Sequence, residues 1–232
     1  MDSTSASASS AADSAALTNE DICAQLSRIL FADAASSSRT WRLEVATSSL
    51  TAAGDGVFLR GHCAAGAVLA IYPGVTFSAD DLPAMHKMIL PGNEYVLMRR
   101  DGILIDGRPD GPSRQLYEVA KRRDLAAGAA PLIEDGELSV GNKVNHPPSG
   151  AHPNVHVHPF DLRPGEHAPL HPYVPVVNFR PPADGEACKQ TVVLVASREL
   201  RDEELLLNYK LRQEGPLESW YAPVAGTTAA HE

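Results

Sequence analysis

Residues 141–155, Gly-Asn-Lys-Val-Asn-His-Pro-Pro-Ser-Gly-Ala-His-Pro-Asn-Val, constrain this chain more than any other stretch. Gly, Ser and Pro suit a surface loop. A surface loop has little use, however, for Asn145-His146 closing one apolar approach at Val144 and Asn154 opening another at Val155 and Val157. Asn carries both donors and acceptors, and His plays either part near neutral pH. Such side chains between two strand-like runs predict a loop pinned inside the fold, where each buried polar group must find a partner.

The 232 residues suffice for one domain with its own core, plus appendages. A net charge of −9 opposes nucleic-acid binding through a broad positive field and mildly favours a basic partner such as a lysine-rich peptide. Cys23, Cys63 and Cys188 are widely spaced and form no CxxC pair. That pattern predicts a reducing compartment, without a disulfide framework or a structural zinc cluster. No apolar stretch reaches the ~18 residues of a membrane helix. The N-terminus shows neither the apolar core of a signal peptide nor the arginines of a mitochondrial transit peptide, the first Arg being Arg28. The expectation is a soluble intracellular chain, in nucleus or cytoplasm, with no membrane and no direct nucleic-acid partner.

Residues 1–17 are almost all Ser and Ala, and a disordered tail is expected there. Thr18 with Asp21 has the form of a capping box, and Ile22, Leu26, Ile29 and Leu30 fall on one helical face. An accessory helix is therefore predicted over 18–34, regular to about Asp33. Strand-like runs follow at 41–45, at 57–59 after Gly54-Asp55-Gly56, and at 67–72 before Pro73-Gly74. Ser78 and Asp81 cap a short helix through about Met88. Asp101-Gly102 between two apolar runs (95–98 and 103–106) has the turn chemistry of a two-residue hairpin. Residues 107–136 read as a polar, solvated stretch with a basic centre, and 161–187 as a long irregular connection. Val155-His156-Val157-His158 alternates as a strand, placing both His on one face. Further apolar runs lie at 191–196 and 203–209. Many short strands with few helices predict a mainly β, α+β single domain.

Two classes of chemistry can be read directly from residue types. Six of the nine His lie between 146 and 171, and His156-x-His158 would suit a metal. A domain that binds without catalysing is the other. Gly-x-Ser-x-Gly is absent, and the Gly54-Asp55-Gly56 run leads into a strand, so neither a serine hydrolase nor a dinucleotide site is indicated.

Four stretches taken together resemble a known family. Gly54-Asp55-Gly56, Tyr72-Pro73-Gly74, Asn145-His146 with Pro153-Asn154, and Glu204-Leu205 with Tyr209 follow in order. They are similar to the G-x-G, Y-x-G, N-H-S-C-x-P-N and E-L-x-x-D-Y motifs of the SET domain, the family of lysine methyltransferases that use S-adenosylmethionine. The likeness covers roughly residues 41–222. Pro147-Pro148 replaces Ser-Cys, and His146 lies three residues further from Pro153-Asn154 than in the family pattern. Asn208 stands where Asp is usual, and Asp202 where Gly often precedes the Glu pair.

The resemblance implies a SET-type β-clip fold, with several small sheets around a knot-like C-terminal crossing and an N-terminal helix. It places a catalytic domain at 41–213 and a tail at 214–232 that carries Trp220-Tyr221. It implies S-adenosylmethionine as cofactor and a protein presenting a lysine as substrate. Gly54, Asp55, Gly56, Tyr72, Asn145, His146, Tyr209 and Trp220 would bind the cofactor. Tyr209 would be the phenol lining the lysine channel, with Tyr95 on the opposite wall. A SET-like module without catalysis and a His-rich metal protein are the alternatives.

Overall fold

A computed structural model describes residues 17–32, 39–181 and 188–210; the tails expected before and after these, Trp220 and Tyr221 included, lie outside the described residues. The N-terminal helix α1 (Asn19–Phe31) begins on the expected capping box. The Thr18 hydroxyl accepts from the Asp21 N–H (3.2 Å), and the Asp21 carboxylate accepts from the Thr18 N–H (3.0 Å). Ile22, Cys23 and Leu26 of α1 are buried in a cluster with Phe160, Leu162, Val193 and Val195.

Among the described residues, ten short strands form three small sheets. The first has β2 (Asp55–Cys63) between β1 (Trp41–Thr47) and β10 (Leu200–Arg201). In the second, β9 (Lys189–Ala196) lies between β3 (Val68–Ile71) and β7 (Val155–Leu162). The third runs β5 (Val96–Met98), β6 (Leu104–Asp106), β4 (Gly74–Phe77), β8 (Val176–Asn178), its last pair parallel. Helices α2 (Leu82–Met88) and α3 (Gly111–Ala126) complete the set. Val192 to Ala196 of β9 are all buried, because the strand is covered on both faces. The mainly β, α+β class with an N-terminal helix is thus observed. No helix among the described residues is long and apolar enough to cross a membrane.

Three local expectations are corrected. Residues 111–126 form the longest helix, where a solvated stretch was expected; its buried side is only Ser113, Tyr117 and Ala120, too sparse for a visible apolar period. Its charges pair with their neighbours, Lys121 with Glu118 (3.0 Å) and Arg114 with Glu134 (2.8 Å). The hairpin loop between β5 and β6 has three residues, not two. Arg99 N–H donates to Ile103 O (2.8 Å), Gly102 N–H donates to Arg99 O (3.1 Å), and Gly102 takes φ +86°. The extra residue lets the Asp101 carboxylate reach the buried Arg99 guanidinium at 2.6 Å. Within 161–187 the chain holds a short 3₁₀ helix (Ala168–Tyr173) and β8.

The feature that positions everything else is the segment 203–209. On one side it lies along β2, with Leu205 N–H donating to Val57 O (2.7 Å) and Leu59 N–H to Glu203 O (2.9 Å). On the other it holds both ends of the loop that follows Val144. Leu207 N–H donates to Asn145 O (2.8 Å), while the N–H groups of Asn154 and Val155 donate to Leu206 O (3.0 and 3.2 Å). The expected crossing takes this form. Asn154, 2% exposed, seals it. Its amide nitrogen donates to Glu204 O (2.7 Å) and the Glu203 carboxylate (2.9 Å), and its carbonyl accepts from Leu206 N–H (2.7 Å). Leu205 and Leu207 then pack with Leu43, Val57, Leu59, Val144 and Val155.

The altered loop is absorbed outside this crossing. His146 and Pro147 are buried, whereas Pro148, Ser149 and Gly150 are exposed in a turn closed by Ala151 N–H to Pro148 O (3.0 Å). Asp202, at the position where the family often has Gly, takes φ +45°. Its carboxylate accepts from Gly61 N–H (2.7 Å), which ties this left-handed residue to β2.

Replacing Asn154 by Ala leaves a part-buried N–H and a buried carbonyl of the crossing without the partners it supplies. A loss of roughly 2–4 kcal/mol is expected, read as a lower urea midpoint at unchanged slope.

Candidate functional site

The first half of the site is built around a carboxylate. Glu204 is 8% exposed, and it accepts from the Ser48 hydroxyl (2.7 Å), the Ser49 N–H (2.9 Å), the Ser49 hydroxyl (2.5 Å) and the Asn145 amide (3.2 Å). Burial pushes its pKa up, but the hydrogen bonds from Ser49, Ser48 and Asn145 outweigh burial and hold it below the ordinary carboxylate value. The two glycines at the start of β2 serve this arrangement differently. A Cβ on Gly56 would collide with the Glu204 carboxylate and come within 3.2 Å of the Asn145 amide, so the carboxylate occupies the space a side chain would take. Gly54 is exposed and takes φ +69°, and a Cβ added there would meet nothing within 4 Å, which leaves its backbone open to a ligand. Asn145 ties the carboxylate to the start of β2, donating also to Asp55 O (3.0 Å).

The second half is a group of phenols. Tyr72, 6% exposed, donates its hydroxyl to Tyr95 O at the start of β5 (2.8 Å). Tyr209 donates its hydroxyl to Val144 O (3.0 Å), and its N–H donates to His146 Nδ1 (3.2 Å). That bond fixes the neutral imidazole as the Nε2–H tautomer. The His146 and Tyr209 rings lie 5.4 Å apart. Burial pushes the Tyr209 phenol up to about 12, with smaller contributions from Tyr95 and Glu94. Burial likewise raises Tyr72, helped by Tyr209, Asp106 and Tyr95. The Tyr72 hydroxyl thus meets the backbone of Tyr95, the exposed member of the three, while the Tyr209 hydroxyl meets that of Val144.

Gly54, Asp55, Gly56 and Asn145 are thus gathered at the buried carboxylate, and Tyr72, Tyr95, His146 and Tyr209 beside them. The joint is the Asn145-His146 pair. Trp220 lies outside the described residues. Sequence reasoning missed the Ser48 and Ser49 hydroxyls and the part played by the Glu204 carboxylate. Ser48 and Glu204 are 156 positions apart, and neighbouring residues give no sign of the contact. His156 and His158 bond the Ser197 hydroxyl (3.2 Å) and Pro159 O (2.9 Å), and among the described residues no three His, Cys, Asp or Glu converge as metal ligands. A groove of about 310 Å³ lined by Leu43, Val45, Glu137 and Lys143 includes none of the site residues.

Two curated proteins match this chain, both called SET domain-containing protein 9, one from Homo sapiens and one from Pongo abelii. Each is 33% identical over 174 residues, 71% of this chain. This chain is a SET-domain homologue. It spans 56% of the length of the human relative and 62% of the other. No family model matches. A solved Plasmodium falciparum chain, named provisionally as a histone methyltransferase, aligns with 74% of this chain and 99% of its own at 15% identity and a TM-score of 0.37, too low to carry an argument. Of the stretches that resemble SET-domain motifs, the crossing joins Asn145-His146, Asn154 and the Glu204–Tyr209 segment.

Glu204→Gln sets an amide N–H₂ among hydrogen-bond donors. It is expected to cost about 1.5–3 kcal/mol near neutral pH. Because the folded pKa is depressed, the carboxylate's contribution is complete above about pH 4.3 and is lost as pH falls through the folded value. Urea unfolding from pH 7 down to pH 3 should show the gap between wild type and variant closing at the acid end.

Proposed function

We propose that this chain is a methyltransferase that takes S-adenosylmethionine as cofactor and a protein lysine ε-amine as acceptor. One observation carries the reading: a single short segment, 204–209, fills the space beside Gly56 with its Glu204 carboxylate and sets the Tyr209 phenol against Val144 O and the His146 ring. The homology to SET domain-containing protein 9 supports it.

The site fits the cofactor in two respects. The open backbone at Gly54-Asp55 permits close approach by a bulky ligand, and the nearby wall is phenolic and uncharged at neutral pH. When bound, S-adenosylmethionine supplies a methyl group on a positively charged sulfonium. Transfer is an in-line displacement, so the protein's task is mostly positioning. Gly54, Asp55, Gly56, Asn145 and His146 would hold the cofactor, and Trp220 would cover its adenine.

Tyr209 would orient the amine. Its hydroxyl hydrogen is committed to Val144 O, so towards an amine the oxygen acts as acceptor. With its pKa pushed up to about 12 the phenol keeps its proton throughout the assay range and is not the base. The lysine, with a reference pKa of about 10.4, must lose its proton by another route. A buried phenolic channel beside a positive charge favours the neutral amine. Tyr95 at the exposed end would form the opposite wall, beside Glu94, whose negative charge would draw in a lysine side chain. The catalytic unit would occupy 41–213 with α1 as accessory helix, in an intracellular protein acting on a protein partner.

A SET-like binding module without catalysis is the second reading, favoured by the Pro147-Pro148 replacement and lengthened loop. Tyr209→Phe distinguishes the two. In a methyltransfer assay on lysine peptides, kcat of Tyr209→Phe should fall about 10–100-fold while the fold and cofactor affinity persist. The rise of rate with pH towards about 10 should stay in place, because that limb belongs to the substrate lysine. Wild-type turnover in Tyr209→Phe, or loss of the alkaline limb, would overturn the assignment.

A further inference from the structure

The loop 48–54 between β1 and β2 has an unusual dependence on one side chain. Its other hydrogen bonds are internal: Ser48 N–H to Gly54 O (2.9 Å), Leu50 N–H to the Ser48 hydroxyl (3.0 Å) and Ala53 N–H to Leu50 O (3.3 Å). Ala52 sits at φ +63°, a left-handed conformation that costs a non-glycine residue on the order of 1 kcal/mol. Among the described residues, the hydrogen bonds joining this loop to the rest of the molecule end on the Glu204 carboxylate. The strained turn is therefore held closed from outside, by a group that belongs to the segment carrying Tyr209.

That segment is stiff. The N–H groups of Leu205, Leu206, Leu207 and Tyr209 donate to Val57 O (2.7 Å), the Asn154 carbonyl (2.7 Å), Asn145 O (2.8 Å) and His146 Nδ1 (3.2 Å). A shift of Glu204 would be passed along this backbone towards Tyr209, and a shift of the loop would be felt by Glu204. Gly54, at the end of the loop, is the exposed glycine of the proposed cofactor edge. We infer that Ser48, Ser49 and Glu204 form a positioning clamp that sets the cofactor edge and the Tyr209 phenol in one register. It rests on the proposed function for its catalytic consequence, and on the loop geometry alone for its structural one.

None of the three touches the reacting atoms; they act through Gly54-Asp55-Gly56 and Tyr209. The test is the Ser48→Ala/Ser49→Ala double variant beside Ser48→Thr/Ser49→Thr, which keeps both hydroxyls. Hydrogen exchange without ligand should quicken about tenfold at the amides of 50–55 in the Ala variant and stay near wild type in the Thr variant. Binding of S-adenosylmethionine should weaken about tenfold, and kcat should fall as well, since a displacement of about 1 Å at the phenol is costly. Weaker binding with unchanged kcat would overturn the coupling between loop and phenol. Unchanged exchange would overturn the clamp itself. If wild type binds no S-adenosylmethionine, the proposed function fails, and exchange alone still decides whether the loop is held as inferred.

Discussion

A chain segment that runs through the interior must find a partner for each backbone group it buries, and segment 203–209 meets that demand from two directions. β2 supplies one set of partners, and the ends of the loop at Asn145 and Asn154 supply the other. Leu205 and Leu207 turn this backbone arrangement into core packing. Asn154 is needed because an apolar residue there would leave Leu206 N–H and Glu204 O facing nothing. Both the sheet around β2 and the Tyr209 phenol take their places from this crossing.

Much of the framework is written in short-range patterns. Thr18 with Asp21 forms its capping box because both partners lie within one helical turn. The alternation of Val155 to His158 survives as β7 because strand periodicity follows from backbone geometry. Helix α3 escaped notice because ion pairs and one buried tyrosine support it in place of an apolar stripe. Asp101-Gly102 fits a two- or a three-residue loop, and the buried Arg99 settles the matter. The site was legible as four separate stretches, each at a turn or a strand. The joining of Ser48 and Asn145 to Glu204 was not, since those contacts span 156 and 59 positions.

Departures from the family pattern become intelligible in the same terms. The longer Asn-His loop carries its extra residues in an exposed turn, beyond the pinned ends. Asp202 occupies a left-handed position and is tied to β2 at Gly61 through both its carboxylate and its N–H. Neither change displaces Tyr209 from Val144 O or Asn145 from Glu204.

The proposed activity stands first on whether this site holds its cofactor. Thermal unfolding of the purified chain with and without S-adenosylmethionine asks that directly. At about a hundred times the dissociation constant, binding should add about 2.7 kcal/mol, raising the midpoint by roughly 5–10 °C, with the demethylated product acting similarly. An unchanged midpoint at millimolar cofactor would contradict the assignment of Gly54, Asp55, Gly56, Asn145 and His146 as its binding site.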